Sequence, residues 1–115
     1  RSRKTSRYFL FNQKNMLCGW KNMATNEILI QNQQIQKIKP LAFSGIQVLN
    51  SSVFKYINQQ PETFSITDFY VNICNSSKII GFAHDRNFWM DLGTPEKLNE
   101  ANRILSKFNF LLYND

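Results

Sequence analysis

The 115-residue chain is short of acids, with eight Asp and Glu against fourteen Lys and Arg, and it holds two cysteines, one histidine, three prolines and four glycines. Each scarcity excludes something. Cys18 and Cys74 lie far apart without a CxxC spacing or a neighbouring histidine, so zinc and thiol-redox motifs are unsupported. Free thiols are expected, and a disulfide between the two stays open on sequence alone. Gly19, Gly45, Gly81 and Gly93 are isolated, so no glycine-rich loop for cradling a triphosphate can be drawn. The longest apolar runs, such as Tyr8-Phe9-Leu10-Phe11, are far below the roughly 18 residues a membrane-spanning helix needs. No apolar segment follows the basic start as in a secretory signal. No G-x-S-x-G elbow is present, and Ser6, His84 and Asp85 do not make a hydrolytic triad by sequence. His84 beside Asp85 reads as an ordinary strand-end side chain that could orient a ligand.

What is present is apolar enough to fold. At 43% hydrophobic and 14% aromatic residues the chain supports a single globular domain, or part of one, with a modest core. Its first residue is Arg1 and not methionine, as expected of a fragment, a processed product or an engineered piece. The net charge of +6 is local: residues 1–39 hold eight Lys and Arg against one acid, and residues 40–115 hold six against seven. Arg1, Arg3, Lys4 and Arg7 gather four cations in seven positions, which suits phosphate on a nucleic acid, a lipid surface or a small ligand, or else a solvated terminal strand. The interleaved aromatics and glycines of an RNA-recognition strand are missing, as is zinc-finger spacing.

Local patterning orders the elements. Thr5 to Phe11 and Met16 to Trp20 read as a hairpin about an Asn12-Gln13-Lys14-Asn15 turn, and Asn22 to Asn26 reads as a second turn before Glu27 to Ile30. Ile35 and Ile38 suggest a further short strand. Beyond Pro40, Leu41 to Leu49 reads as a buried strand with a bulge or close approach at Gly45. Asn50 or Ser51 caps a short helix through Asn58, with Val53, Phe54 and Ile57 inward. Ser65-Ile66-Thr67-Asp68 has capping-box spacing, and Ile66, Phe69, Tyr70, Ile73 and Cys74 make a helical core stripe. Lys78 to His84 and Phe88 to Asp91 read as strands. Thr94 caps a last helix with Pro95 in its first turn and Leu98, Ala101, Leu105 and Phe108 on one face. Alternation after residue 40 predicts an α/β layer arrangement, with residues 1–39 as a β-rich hairpin or flap beside it. Asp91, between a strand and a helix, sits where a carboxylate can reach a metal or polar ligand in such folds, although a cap or a solvated side chain is the plainer role.

Phe88-Trp89-Met90-Asp91-Leu92-Gly93-Thr94-Pro95-Glu96 resembles the W-x-D-x-G-T-P element of the sugar-1-phosphate nucleotidyltransferases, the pyrophosphorylases that make nucleotide sugars. Ala42-Phe43-Ser44-Gly45-Ile46 resembles their F-x-G-I strand, and the intervening helices and Gly81-Phe82-Ala83-His84-Asp85 follow in the family's order. Arg3-Lys4-Thr5-Ser6-Arg7-Tyr8 and Leu17-Cys18-Gly19-Trp20 are similar to the branch of mannose-1-phosphate guanylyltransferases and N-acetylmuramate-1-phosphate uridylyltransferases. The resemblance spans most of the chain.

It implies the second, carboxyl-terminal half of a Rossmann-like catalytic domain, with a mixed sheet, flanking helices and an N-terminal hairpin. It further implies a cytoplasmic, Mg2+-dependent enzyme that joins a nucleoside monophosphate from a triphosphate (NTP) to a sugar 1-phosphate and releases pyrophosphate. Asp91 is then one of two aspartates on the metal and the catalytic residue of this half. Lys21 then meets the sugar phosphate, with Arg3, Lys4 and Arg7 facing it, and Gly45 lets the sugar approach the strand. Trp89 packs beneath the site. Two departures stand out. The triphosphate loop has no counterpart, so the chain alone is expected to be inactive, with an uncovered sheet edge that self-associates. Where many relatives carry Glu-Lys-Pro, this chain has Trp20-Lys21-Asn22, which leaves the sugar open. The competing readings are a basic module binding nucleic acid or an acidic partner, and a non-catalytic regulatory relic of the same fold.

Overall fold

A computed structural model describes residue 2 and residues 4–31, 37–86 and 88–107. Arg1, Arg3, Ile35 and Phe108 therefore lie outside the described residues. Two compact units follow one another along the chain, Arg1–Asp85 and Arg86–Asp115.

The first unit is built on an antiparallel sheet. Strands β1 (Arg7–Phe11) and β2 (Leu17–Asn22) form the expected hairpin, β3 (Glu27–Ile30) pairs with β2, and β4 (Lys39–Leu41) returns to the free side of β1. The sheet order is β3-β2-β1-β4. The first turn closes because Asn12 Oδ1 accepts from the Lys14 and Met16 amides at 2.9 and 3.0 Å, while Asn15 takes a left-handed φ of 56°. The second closes with Asn22 Oδ1 accepting from the Ala24 amide at 3.0 Å and with Asn26 at φ 58°. Pro40, which has no N–H to donate, falls in the edge strand, where the ladder tolerates it.

Gly19 has a close-approach role. A Cβ there would stand 2.2 Å from the Leu29 carbonyl oxygen and 3.0 Å from Ile30 Cα on β3, both backbone atoms. Gly19→Ala is therefore expected to prise β3 from β2 and destabilise the unit by about 1–3 kcal/mol. Urea unfolding followed by circular dichroism checks this, and an unchanged midpoint would contradict the β2–β3 contact.

Helix α1 (Phe54–Ile57) follows a 3-10 turn at Ser51–Val53 whose cap is Asn50, its side chain accepting from the Ser52 amide at 2.9 Å. Val53, Tyr56 and Ile57 are half-buried, but Phe54 faces solvent instead of the core. Helix α2 (Ile66–Ile73) begins as the capping box predicts, with Ser65 Oγ accepting from the Asp68 amide at 3.3 Å. Its Phe69, Tyr70 and Val71 are buried against Phe9, Phe11, Leu17 and Leu41, so the N-terminal hairpin supplies the core itself and does not sit beside it as a flap. Phe69 packs at 5.5 Å from Phe64 and 5.7 Å from Tyr70, between ring centroids.

Three expected strands are not strands among the described residues. Only Leu41, at the end of β4, pairs from the Leu41 to Leu49 run; Lys78 to His84 is reduced to one bridge, Met16 with Ile80; and Phe88 to Asp91 has no ladder. The mixed sheet expected of the α/β reading is corrected accordingly to an antiparallel one. The physical reason is that β-branched alternation favours extended backbone, whereas a ladder also needs a neighbour with free N–H and C=O groups. These runs are largely apolar, and among the described residues the pairing they find stops at Leu41 in β4 and at the Ile79 to Gly81 contact with Asn15 to Leu17.

In the second unit, α3 (Pro95–Lys107) starts where expected. Thr94 Oγ1 accepts from the Lys97 amide at 3.4 Å, and Pro95 occupies the first turn, where its missing N–H costs nothing. Ala101 is buried, while Leu98 and Leu105 of the expected apolar face are exposed.

Candidate functional site

Among the residues the sequence singles out, Asp91 has the most defined geometry. It is half-exposed in the turn before α3. Its Oδ1 accepts from the Gly93 amide at 3.0 Å, and its Oδ2 pairs with Lys97 Nζ at 2.5 Å. Gly93 and Lys97 thus hold the carboxylate in one orientation from both sides. The Thr94 hydroxyl and the helix-start amides also favour charge on the next acid: the Glu96 carboxyl is held below its ordinary range, chiefly by its own backbone N–H and then by Thr94.

Lys21 lies on β2 with its ammonium 5.4 Å from the centre of the Tyr8 ring, its cross-strand partner. Arg7 is exposed on β1 opposite Asn22, one register position away, so strand alternation sends Arg7 and Lys21 to opposite faces of the sheet. Arg3 lies outside the described residues. Gly45 is exposed at φ +81°, a conformation glycine adopts without strain, and a Cβ there would meet nothing within 4 Å. Neither the bulge nor the close approach expected at Gly45 is found; what requires glycine there is the left-handed φ.

Alongside Phe43, Ser44 and Ile46 the first unit opens into a groove of about 460 Å³. Its floor is the sheet and α2, through Phe9, Leu41 and Tyr70; its rims are the runs Ile46 to Leu49 and Ile79 to Phe82. Val48 on one rim is 99% exposed and Phe82 on the other 85%. Polar groups pair across the groove. His84 Nε2 and Ser44 Oγ share a hydrogen bond of 2.8 Å, and the Tyr70 hydroxyl donates to Gln47 Oε1. Burial pushes the Tyr70 phenol above its ordinary pKa, so it stays a donor at neutral pH. Beside His84, both Asp85 oxygens are engaged by Ser2, through its amide at 2.6 Å and its hydroxyl at 3.0 Å.

Reading the sequence alone missed the Ser44 and His84 pairing. The two residues are 40 positions apart, and neither carries a local signal for the other. Cys18 and Cys74 are free thiols, as expected, and burial raises the pKa of both. Among the described residues no group of three or more His, Cys, Asp or Glu is placed to hold a metal. No described helix is long and apolar enough to cross a membrane. Comparison with family models, with curated proteins and with solved structures gives no significant match.

Proposed function

We propose that this chain is the sugar-phosphate half of a sugar-1-phosphate nucleotidyltransferase. The observation that carries the reading is the Asp91-Leu92-Gly93-Thr94-Pro95 turn. A half-exposed carboxylate, oriented by the Gly93 amide, stands at the mouth of a capped helix, in the sequence context that resembles the family's metal-binding element. A magnesium ion in phosphoryl chemistry is commonly held by one or two carboxylates and by substrate phosphates. Asp91 fits as one such ligand, and among the described residues it belongs to no group of three or more His, Cys, Asp or Glu placed to hold a metal. When bound, the metal supplies charge neutralisation for the phosphates of the triphosphate. Asp91 contributes a fixed negative charge, and Lys97 neutralises it in its absence. On this reading Lys21, Arg3 and Arg7 meet the sugar phosphate, Gly45 lets the sugar approach the backbone, and the protein works in the cytoplasm on an NTP and a sugar 1-phosphate.

The exposed apolar residues on the two rims also support the half-domain part of the reading. Extended segments with Val48 and Phe82 this exposed are stable when further strands cover them. The isolated 115-residue chain is therefore expected to self-associate in light scattering and to show no pyrophosphate release, and an antibody to residues 95–115 is expected to recognise a natural product about twice this size. A natural species near 13.6 kDa that melts cooperatively as a monomer would overturn the half-domain reading. In that case the basic N-terminal segment favours a module that binds acidic partners, recognisable by steep salt dependence.

A further inference from the structure

We infer that the free edge of β3 is a docking site for an extended, arginine-bearing segment of a partner protein, which adds to the sheet as a further strand and places its guanidinium in an acidic groove between β3 and α2. This groove shares no lining residue with the one at Ser44, and the inference stands whether or not the chain takes part in nucleotidyl transfer.

The register determines what the edge offers. The Gln31 amide donates to the Cys18 carbonyl, and opposed residues of an antiparallel pair alternate between hydrogen-bonded and non-bonded. Counted from that bond, Leu29 with Trp20 and Glu27 with Asn22 are bonded pairs, so the N–H and C=O groups of Ile28 and Ile30 point away from β2. β3 ends the sheet, and no described segment pairs with its outer side. Ile28 and Leu29 of this strand are exposed. An apolar edge with unmatched backbone groups is a template for another strand: main-chain bonds supply affinity, and pockets for alternate side chains supply specificity.

Such a pocket lies beside the edge. A groove of about 450 Å³ is lined by Trp20, Glu27 and Leu29 from the sheet and by Asp68, Val71 and Asn72 from α2. The two periods explain the grouping. Glu27 and Leu29 share a face of β3, with Trp20 opposite Leu29, while Asp68, Val71 and Asn72 fall at i, i+3 and i+4 on one side of α2. Glu27 and Asp68 are acids in a chain of net charge +6, and no cation lines the groove among the described residues. Thr25 Oγ1 donates to Glu27 Oε2 at 2.6 Å and steadies that carboxylate. Charge complementarity therefore calls for a cation on the partner. Arginine suits the lining better than lysine, because its planar fork pairs with carboxylates and its flat face stacks on an indole ring, here that of Trp20. The Trp20 indole N–H is buried without an acceptor among the described residues, so the lining also holds a donor that the chain leaves unmatched.

The test tethers the 115-residue chain to a biosensor surface, sparsely enough that copies do not meet, and passes over it short peptides of alternating threonine and valine with arginine, norleucine or glutamate at the centre. The arginine peptide is expected to bind, the norleucine peptide about tenfold more weakly, and the glutamate peptide more weakly still. Two further arginine peptides carry N-methyl groups on one or the other set of alternate amides. One is expected to lose about tenfold, the cost of one or two backbone hydrogen bonds, and the other little, since only one edge of a strand faces β3. Glu27→Gln and Asp68→Asn are each expected to weaken the arginine peptide about twofold to fivefold, and Glu27→Lys to cut its advantage over the glutamate peptide about tenfold. A purely structural Glu27 leaves that ratio where it was. The peptide comparisons stand by themselves if a variant fails to fold. No binding of the arginine peptide, equal binding of the three centres, or equal loss from both methylated sets would overturn the site. A free copy of the chain that blocks the arginine peptide from the surface would assign the edge to self-pairing and overturn the partner.

Discussion

Asp91→Asn in the natural protein is expected to lower magnesium-dependent pyrophosphate release about a thousandfold and to leave thermal stability nearly unchanged. The size follows from the several kcal/mol of charge stabilisation that a correctly held metal provides, of which about 4 kcal/mol is a thousandfold in rate. The small stability effect follows from the contacts. An asparagine keeps an Oδ1 acceptor for the Gly93 amide and loses the pair with Lys97. The two side chains of that pair are 38% and 44% exposed, and solvent-screened pairs of this kind contribute about 0–1 kcal/mol. A regulatory relic that keeps the turn for structure alone has no turnover for the substitution to remove. Unchanged turnover in an active protein would remove Asp91 from the metal.

Phe69→Ala is expected to cost about 3–5 kcal/mol, the largest stability effect of any single truncation in the first unit. Phe69 is 2% exposed, lies between the Phe64 and Tyr70 rings, and links α2 to the face of the sheet that carries Phe9 and Phe11. Stabilities of about 0.05–0.15 kcal/mol per residue leave a unit of this length little beyond such a loss, so the variant should populate unfolded chain at room temperature. Phe54→Ala is the control. Phe54 is exposed despite its place beside the half-buried Val53, and its truncation should fall within about 0.5 kcal/mol. Chemical denaturation of both variants decides the matter; equal midpoints would contradict the packing of α2 on the sheet.

Phe54 and Phe69 also illustrate what is legible in this sequence. The start of α2 is written locally, because Ser65 and Asp68 are three residues apart and the stripe from Ile66 to Cys74 keeps helical period; the structure reproduces both. The same holds for the β1–β2 hairpin, whose turn is specified by Asn12 and Asn15, and for α3 behind Thr94-Pro95. Phe54 was expected inward because a helix of one turn offers too few positions to define a face. The misread segments are those whose structure depends on a distant partner. Leu41 to Leu49 and Lys78 to His84 have the composition of strands, but pairing is a relation between segments, and alternation within one segment does not name the other.

The candidate site divides along the same line. Asp91 could be marked from its strand-to-helix context and its resemblance, and Gly45 from an unusual glycine in an apolar run. The His84 contact with Ser44 could not, because it joins residues 40 positions apart on two segments without regular pairing between them. The opposite faces of Arg7 and Lys21 follow from a register that only the paired hairpin sets.

The most direct test of the account is pyrophosphate release by the natural protein, captured with an antibody to residues 95–115 and supplied with magnesium, a panel of nucleoside triphosphates and a panel of sugar 1-phosphates. The account predicts release that requires one triphosphate and one sugar phosphate together, and none from the 115-residue chain alone. A captured protein that releases no pyrophosphate with any combination would contradict it.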